Sequence, residues 1–338
     1  MTDRVLRALV QRRSPLDLLP QPGPAHLTPT WREAAPGRIA TALERAAQRD
    51  PGGWCVAGAS TDLPPDTSIT RHLNGLEVVL WRDRDGSVQA GPGACPHLGA
   101  LLDGCPVIDG TLRCRWHGLA LGPRGETPWH GYPALDDGVL LWLRLPMPGE
   151  NPREAPRLPT RPPLATSIAA VVARAGVCEP RDIIANRLDP WHGAWLHPYA
   201  FSHLTVDDEA SDPDILVVDV AFRLGRRIGV AVRAEFVCLD ARTIVMTIVE
   251  GEGAGSVVET HATPLGLGAD GLPKTMMTEA TIAHSERPGF RVARRFAPLI
   301  RAGLRRSAGQ LWVDDLAYAE RTFAVRHRSA AARLGDGS

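Results

Sequence analysis

The chain has 338 residues, a size that suits about two domains, and its 44% hydrophobic and 22% charged residues are ordinary for a globular protein. Its 38 basic and 38 acidic residues cancel, which argues against nucleic acid or a membrane surface as the default partner. No apolar run reaches the length of a membrane span, and MTDRVLRALVQRRS lacks the apolar core of a signal peptide, so the expected location is cytoplasmic.

In chain order, residues 1–52 read as an N-terminal extension. Its Pro-rich run SPLDLLPQPGPAHLTPTW should lie extended over another surface. Residues 37–48 have helical spacing, with Ile39, Leu43, Ala46 and Ala47 on one side, and RDPGG stops the helix. Residues 53–150 form an all-β unit: WCVAGAS, LEVVLWRDRDGSVQA and GVLLWLRL have strand lengths, and RDG suits a hairpin turn. PMPGENPREAPRLPTRPP (146–163) is a linker without periodicity. Residues 151–338 follow as a second domain. EPRDIIANRLDPWHGAWLHP reads as helical, and five β-like runs follow between 214 and 284. The last segment, from FRVARRF onward, reads as helix with a weak spot at SAGQ. The fold class is α+β: an all-β domain, then an antiparallel sheet with a long C-terminal helix in a helix-grip-like arrangement.

Two stretches carry metal-ligand chemistry. In the first, Cys95-x-His97 and Cys114-x2-His117 stand sixteen residues apart, each pair beside Gly or Pro. Two thiolates and two imidazoles suit tetrahedral zinc, and they also suit a [2Fe–2S] cluster with Cys on one iron and His on the other. A zinc finger groups Cys with Cys and His with His. Here each half carries one of each, which is what split ligation of two irons needs. The other four cysteines (55, 105, 178 and 238) are expected as buried thiols.

In the second stretch, NRLDPWHGAWLHP gives Asn186-x2-Asp189-x2-His192-x4-His197. Two imidazoles near a carboxylate are the makings of a 2-His-1-carboxylate site for Fe(II). On a regular helix Asp189 and His192 share a face, but His192 and His197, five apart, do not. Convergence needs a widened turn, for which Gly193 is permissive. Asp189 before Pro190 reads as an N-cap followed by N1. Packing of two histidines on a partly buried helix is the competing reading. The remaining histidines (26, 72, 130, 203, 261, 284 and 327) have no ligand-like partner at short spacing. No dinucleotide fingerprint or P-loop is present.

CPHLGALL and CRWHG, with GTLRC and GPRGE around them, resemble the Rieske iron–sulfur family. NRLDPWHGAWLHP, placed after that unit and a linker, resembles the iron motif of the catalytic subunit of Rieske non-haem iron oxygenases. Respiratory Rieske proteins add a disulfide-forming Cys to each loop; Ala100 and Trp116 stand at those places, so the resemblance is to the oxygenase and ferredoxin branch. Arg115 and Leu119 depart from that branch's commoner Pro and Trp, and Cys105 has no evident partner. The resemblance implies a [2Fe–2S] cluster on Cys95, His97, Cys114 and His117. It implies a mononuclear Fe(II) on His192, His197 and a late Asp, for which Asp315 is chosen over Asp314 because Glu320 stands five residues beyond it, as in the family pattern. Asp189 takes the place of the family's bridging Asp between a cluster His and an iron His of neighbouring subunits in a head-to-tail homotrimer. Asn186 becomes a polar group beside the iron or a helix-capping residue.

The function implied is that of a terminal oxygenase component. Such a component uses O2 and electrons from a separate reductase or ferredoxin to hydroxylate, dealkylate or otherwise oxidise a small organic substrate. The Val-, Ile- and Ala-rich β runs suggest that the substrate is apolar. Two rivals are a Rieske electron carrier fused to a ligand-binding domain without active iron, and a zinc-stabilised binding protein.

Overall fold

The computed structural model describes residues 3–12, 17–18, 23–123, 125, 129–224 and 227–335. Most of the Pro-rich run through residue 22, and Arg124 and Glu126 of the GPRGE turn, lie outside the described residues.

The chain opens with α1 (Asp3–Arg12), the two-residue strand β1 (Asp17–Leu18) and α2 (Pro36–Ala47). The sequence reading did not anticipate α1. Leu6 and Val10, one turn apart, are buried against Ala221 and Ala231 of the large sheet. The buried side of α2 is Ile39, Ala42, Leu43 and Ala46, packed on the main core. Ala47 is exposed, so the expected face was off by one position in its last turn.

A β unit follows, made of β2 (Trp54–Ala59), β3 (Ile69–Leu73), β4 (Leu76–Arg82), β5 (Val88–Pro92), β6 (Val107–Ile108), β7 (Thr111–Arg113), β8 (Ala120–Leu121), β9 (Ala134–Asp136) and β10 (Leu140–Arg144). They form three three-stranded sheets, β2-β10-β9, β3-β4-β5 and β6-β7-β8. The β4–β5 hairpin turns at Gly86, whose φ of 86° suits a residue without Cβ. The last small sheet carries the two Cys–His loops at its end. Residues 151–163 have no regular structure but are held at several points, for example by the Trp54 indole N–H donating to the Arg153 carbonyl at 3.0 Å.

The second unit is an antiparallel sheet in the order β11 (Ile168–Gly176), β17 (Pro273–Ala283), β16 (Val257–Leu267), β15 (Thr243–Gly251), β14 (Ile228–Asp240), β13 (Ile215–Arg223) and β12 (Phe201–Val206), with β1 pairing to β14. The five sequence-read runs are its centre. The strands β11 and β12, at the two ends of that order, were missed because each is short or small-residue-rich. One face packs on β2 and β10 through Trp54, Val56, Leu140 and Trp142 against Ala280 and Ile282. The other face carries α3 (Pro180–Arg187), α4 (Gly193–Leu196) and α6 (Ala297–Gly335), over a core that includes Ile184, Val232, Met277, Trp312 and Phe323.

α5 (Pro288–Ala293) and a 3-10 turn at Arg294–Phe296 precede α6. The helix then runs unbroken through SAGQ, contrary to the sequence reading. Ala308 there is buried, and packing outweighs the modest helix cost of Gly309. Among the described residues no helix is long and apolar enough to cross a membrane.

Candidate metal centres

The two Cys–His loops are built alike. The Cys95 N–H donates to the Ala100 carbonyl at 2.8 Å and the Gly99 N–H to the Cys95 carbonyl at 2.9 Å. In the second loop the Cys114 N–H donates to Leu119 at 2.9 Å and the Gly118 N–H to Cys114 at 2.8 Å. Gly99 and Gly118 have φ of 73° and 75°, so each loop closes through a left-handed glycine four residues after its cysteine. Both cysteines are buried, and both histidines lie at the surface with ring centroids 4.9 Å apart. Burial pushes the Cys95 thiol up, with the backbone amides of His97 and Leu98 pulling against it, whereas at Cys114 the amides of Trp116 and His117 and the neighbouring Cys95 outweigh burial and hold the thiol below its ordinary value. Two buried sulfurs beneath two outward imidazoles fit a two-iron cluster with one pair of ligands on each iron.

The tip around this pocket is apolar and exposed: Leu98, Leu101 and Trp116 all face solvent. Ala100 is buried and Arg115 reaches the Asp103 carbonyl at 2.6 Å. Cys105 is completely buried beneath the loops, its N–H on the Ser68 hydroxyl at 3.0 Å and its thiol 3.9 Å from the Leu101 carbonyl. Cys55, Cys178 and Cys238 are buried too, and burial pushes their thiols up to about 12. These are packing residues, not nucleophiles.

The second centre is assembled from two distant segments. α3 ends at Arg187, a 3-10 turn covers Pro190–His192, and α4 follows for a single turn. This break supplies the irregularity that spacing alone required, and it swings His192 and His197 toward each other, centroids 5.3 Å apart. Asp189 does precede Pro190 as expected, but its side chain makes no capping hydrogen bond. It turns inward instead, accepting from the Tyr318 hydroxyl at 3.1 Å and standing 3.7 Å from His192 Nδ1, a charge contact too long for a hydrogen bond.

α6 supplies the carboxylate. One oxygen of Asp315 meets His192 Nε2 at 3.1 Å, His197 Nε2 at 2.8 Å and the Asn186 amide N–H at 3.1 Å. The candidate ligand atoms of His192, His197 and Asp315 all lie within 4.8 Å of one another. Asp314 points away from the converging nitrogens, accepting from the Tyr199 hydroxyl at 2.6 Å and standing 3.6 Å from the outer nitrogen of His197, Nδ1, as expected for neighbours about 100° apart on a helix. Burial alone would lower the His192 imidazole, but the negative charges of Asp189 and Asp315 hold it up to about 9. Burial alone would raise Asp315, but His192 and His197 hold it well below the usual carboxylate range.

The Nε2 atoms of both imidazoles and one oxygen of Asp315 converge on one point, an arrangement that fits a small cation when the two nitrogens are unprotonated. The donor set, two imidazoles and one carboxylate, suits ferrous iron.

Glu320 accepts the Val177 N–H at 2.8 Å, tying α6 to the end of β11. Arg326 grips both oxygens of buried Asp182 at 2.7 Å, tying α6 to α3. These two ties hold the two ligand-bearing segments against each other. Sequence reasoning missed Tyr318, which stacks on His192 at 5.5 Å, and Tyr199, which sits 3.3 Å from His197 Nδ1. Tyr318 stands three residues after Asp315, so helical periodicity alone places it on the same face. Nothing in the sequence marks Tyr199.

Two protein families match the chain: the Rieske [2Fe–2S] domain over residues 53–136, and a domain of unknown function, DUF5914, over residues 147–330. Among characterised proteins, the chain is 27% identical over 167 residues to the toluene-4-sulfonate monooxygenase system iron-sulfur subunit TsaM1 of Comamonas testosteroni, covering 43% of this chain and 46% of that one. It is 30% identical over 178 residues to the oxygenase component of chloroacetanilide N-alkylformylase of Rhizorhabdus wittichii, covering 44% and 45%. The chain thus spans about half the length of the curated relatives it matches. In fold it is similar to dicamba monooxygenase bound to dicamba, with a TM-score of 0.58 at 17% identity over 84% of this chain and 90% of that one.

Proposed function

The chain belongs to the DUF5914 family, with a Rieske [2Fe–2S] domain ahead of the family's region, and from that premise we propose that it is the terminal oxygenase component of a Rieske-type system. The single observation that carries this reading is the meeting of His192, His197 and Asp315 around one point in the domain that follows the cluster loops. An electron carrier fused to a plain binding domain has no use for that triad.

Cys95, Cys114, His97 and His117 would hold the cluster, and His192, His197 and Asp315 the ferrous ion. When bound, the cluster supplies one-electron transfer and the iron supplies O2 activation. The chain's own residues do the rest. Asn186 holds the ligand oxygen of Asp315 from the side of α3. Asp189 faces Nδ1 of His192 across 3.7 Å on the side away from Asp315, which leaves Nε2 for the metal, and Tyr318 holds Asp189 in place. Tyr318, pushed up by burial and by Asp189, keeps its proton and stays a donor. Burial of His197, Asp189 and Asp315 keeps bulk water from the reacting centre.

The electron donor is a separate reductase or ferredoxin, and the exposed apolar tip at Leu98, Leu101 and Trp116 is the surface through which electrons enter and leave. In a head-to-tail homotrimer that tip meets the Asp189 side of a neighbouring chain, and Asp189 then stands between a cluster His and His192. A cytoplasmic setting suits four unpaired buried thiols beside the two cluster cysteines. The substrate is a small organic molecule oxidised by oxygen insertion or dealkylation.

Metal analysis of the purified chain tests the reading. It predicts about three irons and two acid-labile sulfides per chain, and His192→Ala should remove one iron and all turnover while the cluster spectrum persists. Two irons with a full cluster spectrum would leave only an electron carrier. Zinc with no visible colour would sink both iron readings.

A further inference from the structure

Behind the triad the sheet carries an ionisable carboxyl where an apolar side chain would pack at lower cost. Glu279 lies on β17, 6% exposed, on the face covered by α6. Its Oε2 accepts the indole N–H of Trp312 at 2.7 Å, and among the described residues it has no ion-pair partner. Arg187 acts on it only through longer-range attraction. The Arg187 guanidinium is stacked 5.5 Å from the Phe236 ring, and its Nε is buried without a hydrogen bond. Directly across the ladder stands Thr260, on the same face, with its hydroxyl buried and unpartnered.

A carboxylate so placed costs more in desolvation than one bond to a neutral donor returns. Glutamine would accept the same indole N–H and could never ionise, so the carboxyl itself needs a reason. The structure offers one. Trp312 sits one helical turn before Asp315 on α6, and the charge of Asp315 is felt at Glu279. A divalent cation among His192, His197 and Asp315 would bring two positive charges, which Asp315 as ligand and Asp189 and Asp314 beside the imidazoles face from the helical side.

We propose that Glu279 is a charge-balancing residue of the metal centre, supplying from the sheet a further negative charge that raises the affinity of the His192–His197–Asp315 site for a divalent cation without touching it. The proposal rests on the reading of that triad as a metal centre. It assigns Glu279 no contact with substrate. In the absence of a cation, burial and the like charge of Asp315 both push the Glu279 carboxyl up. A bound cation reverses the second of these.

The test uses the full chain with its cluster in place and the mononuclear iron removed by a chelator. Mn(II) is titrated in, and the EPR signal of the free ion reports binding. Glu279→Gln keeps the acceptor for Trp312 and removes the charge; Trp312→Phe removes the hydrogen bond and keeps the charge. The expected result is Mn(II) binding about ten-fold weaker in E279Q, with unchanged cluster spectrum and thermal midpoint, and a smaller loss in W312F. Glu279→Met should reproduce the E279Q loss, which guards against a fault peculiar to glutamine. Unchanged affinity in E279Q would overturn the proposal. So would a loss confined to W312F, which would make the pair a mechanical tie. If the unsubstituted chain binds no Mn(II), the metal centre itself falls and the role of Glu279 with it; binding that E279Q leaves unaltered removes only that role.

Discussion

The cluster loops and the His192–His197–Asp315 site solve opposite problems with related ligands. In the loops, all four candidate ligands lie within 23 residues of sequence, and two copies of one turn hold them. Their imidazoles face outward beside an apolar tip, as the proposed electron exchange with another protein would require. In the second site, Asn186 and Asp315 meet across 129 residues, and His197 and Asp315 are almost entirely buried. Here no local turn could bring the ligands together. A broken helix, a long straight helix and the sheet beneath them do it jointly. Local geometry therefore secures the part that must be exposed, and tertiary packing secures the part that must be sheltered. The two should fail differently when damaged.

The largest expected effect separates them outright. Cys114→Ala should abolish the visible spectrum and all turnover, and lower iron by about two per chain while the mononuclear site keeps its metal. Retention of colour would mean that Cys114 is not a ligand. Next comes the choice within α6. Asp315→Ala should empty the mononuclear site and leave the cluster spectrum untouched, whereas Asp314→Ala should retain metal and most turnover, since Asp314 meets Tyr199 and not the converging histidine nitrogens. Metal content of the two variants decides it; equal loss from both would break the assignment of the third ligand.

The same contrast explains what the sequence could and could not disclose. The loops are legible because ligand spacing and turn chemistry are local: Cys95, His97, Gly99, Cys114, His117 and Gly118 can be read off the sequence in order. His192 and His197 are legible as a pair, and so is the need for an irregularity between them, because five residues do not fit one helical face. The third ligand was reachable only through resemblance, since nothing local distinguishes Asp315 from Asp314; the helix phase that separates them is set by packing. SAGQ was misjudged for the same reason, because buried Ala308 sits on an unbroken helix whose propensity alone is middling. Glu279 enters through a contact across the fold, with Trp312, and Tyr199 through one with Asp314 besides its local approach to His197. The β runs whose Val, Ile and Ala content suggested an apolar substrate also carry Thr260 and Glu279 on the face covered by α6.

A smaller effect probes the shelter around the second site. Tyr318→Phe removes the hydroxyl that holds Asp189 and keeps the ring that stacks on His192. Turnover should fall about ten-fold with iron content and cluster spectrum unchanged, the usual cost of losing a group that supports a ligand. Undiminished turnover would show that Asp189 needs no such support.

The joint between the two regions gives the smallest expected effect on chemistry and a clear one on stability. Arg161, in the irregular segment that links the domains, reaches Asp137 beside β9 at 2.8 Å and both oxygens of Glu259 on β16 at 2.5 and 2.7 Å. All three side chains are nearly buried, and Glu259 also stands 3.3 Å from His261 Nε2. Burial by itself would raise both carboxyls, but Arg161 outweighs it and holds both below their ordinary values. A depressed carboxyl contributes stability above its unfolded pKa, about 4 for Asp and Glu, and that contribution is lost as pH falls through the folded value. Arg161→Met should therefore cost on the order of 3 kcal/mol at neutral pH, because it strands two buried carboxylates. In a chain of this size that lowers the thermal midpoint by roughly 5–10 °C. As pH falls below about 4 the difference between variant and unsubstituted chain should shrink, because both then carry neutral carboxyls. Calorimetry at neutral and acid pH measures it. A gap that stayed constant with pH would show that Arg161 contributes packing and not charge.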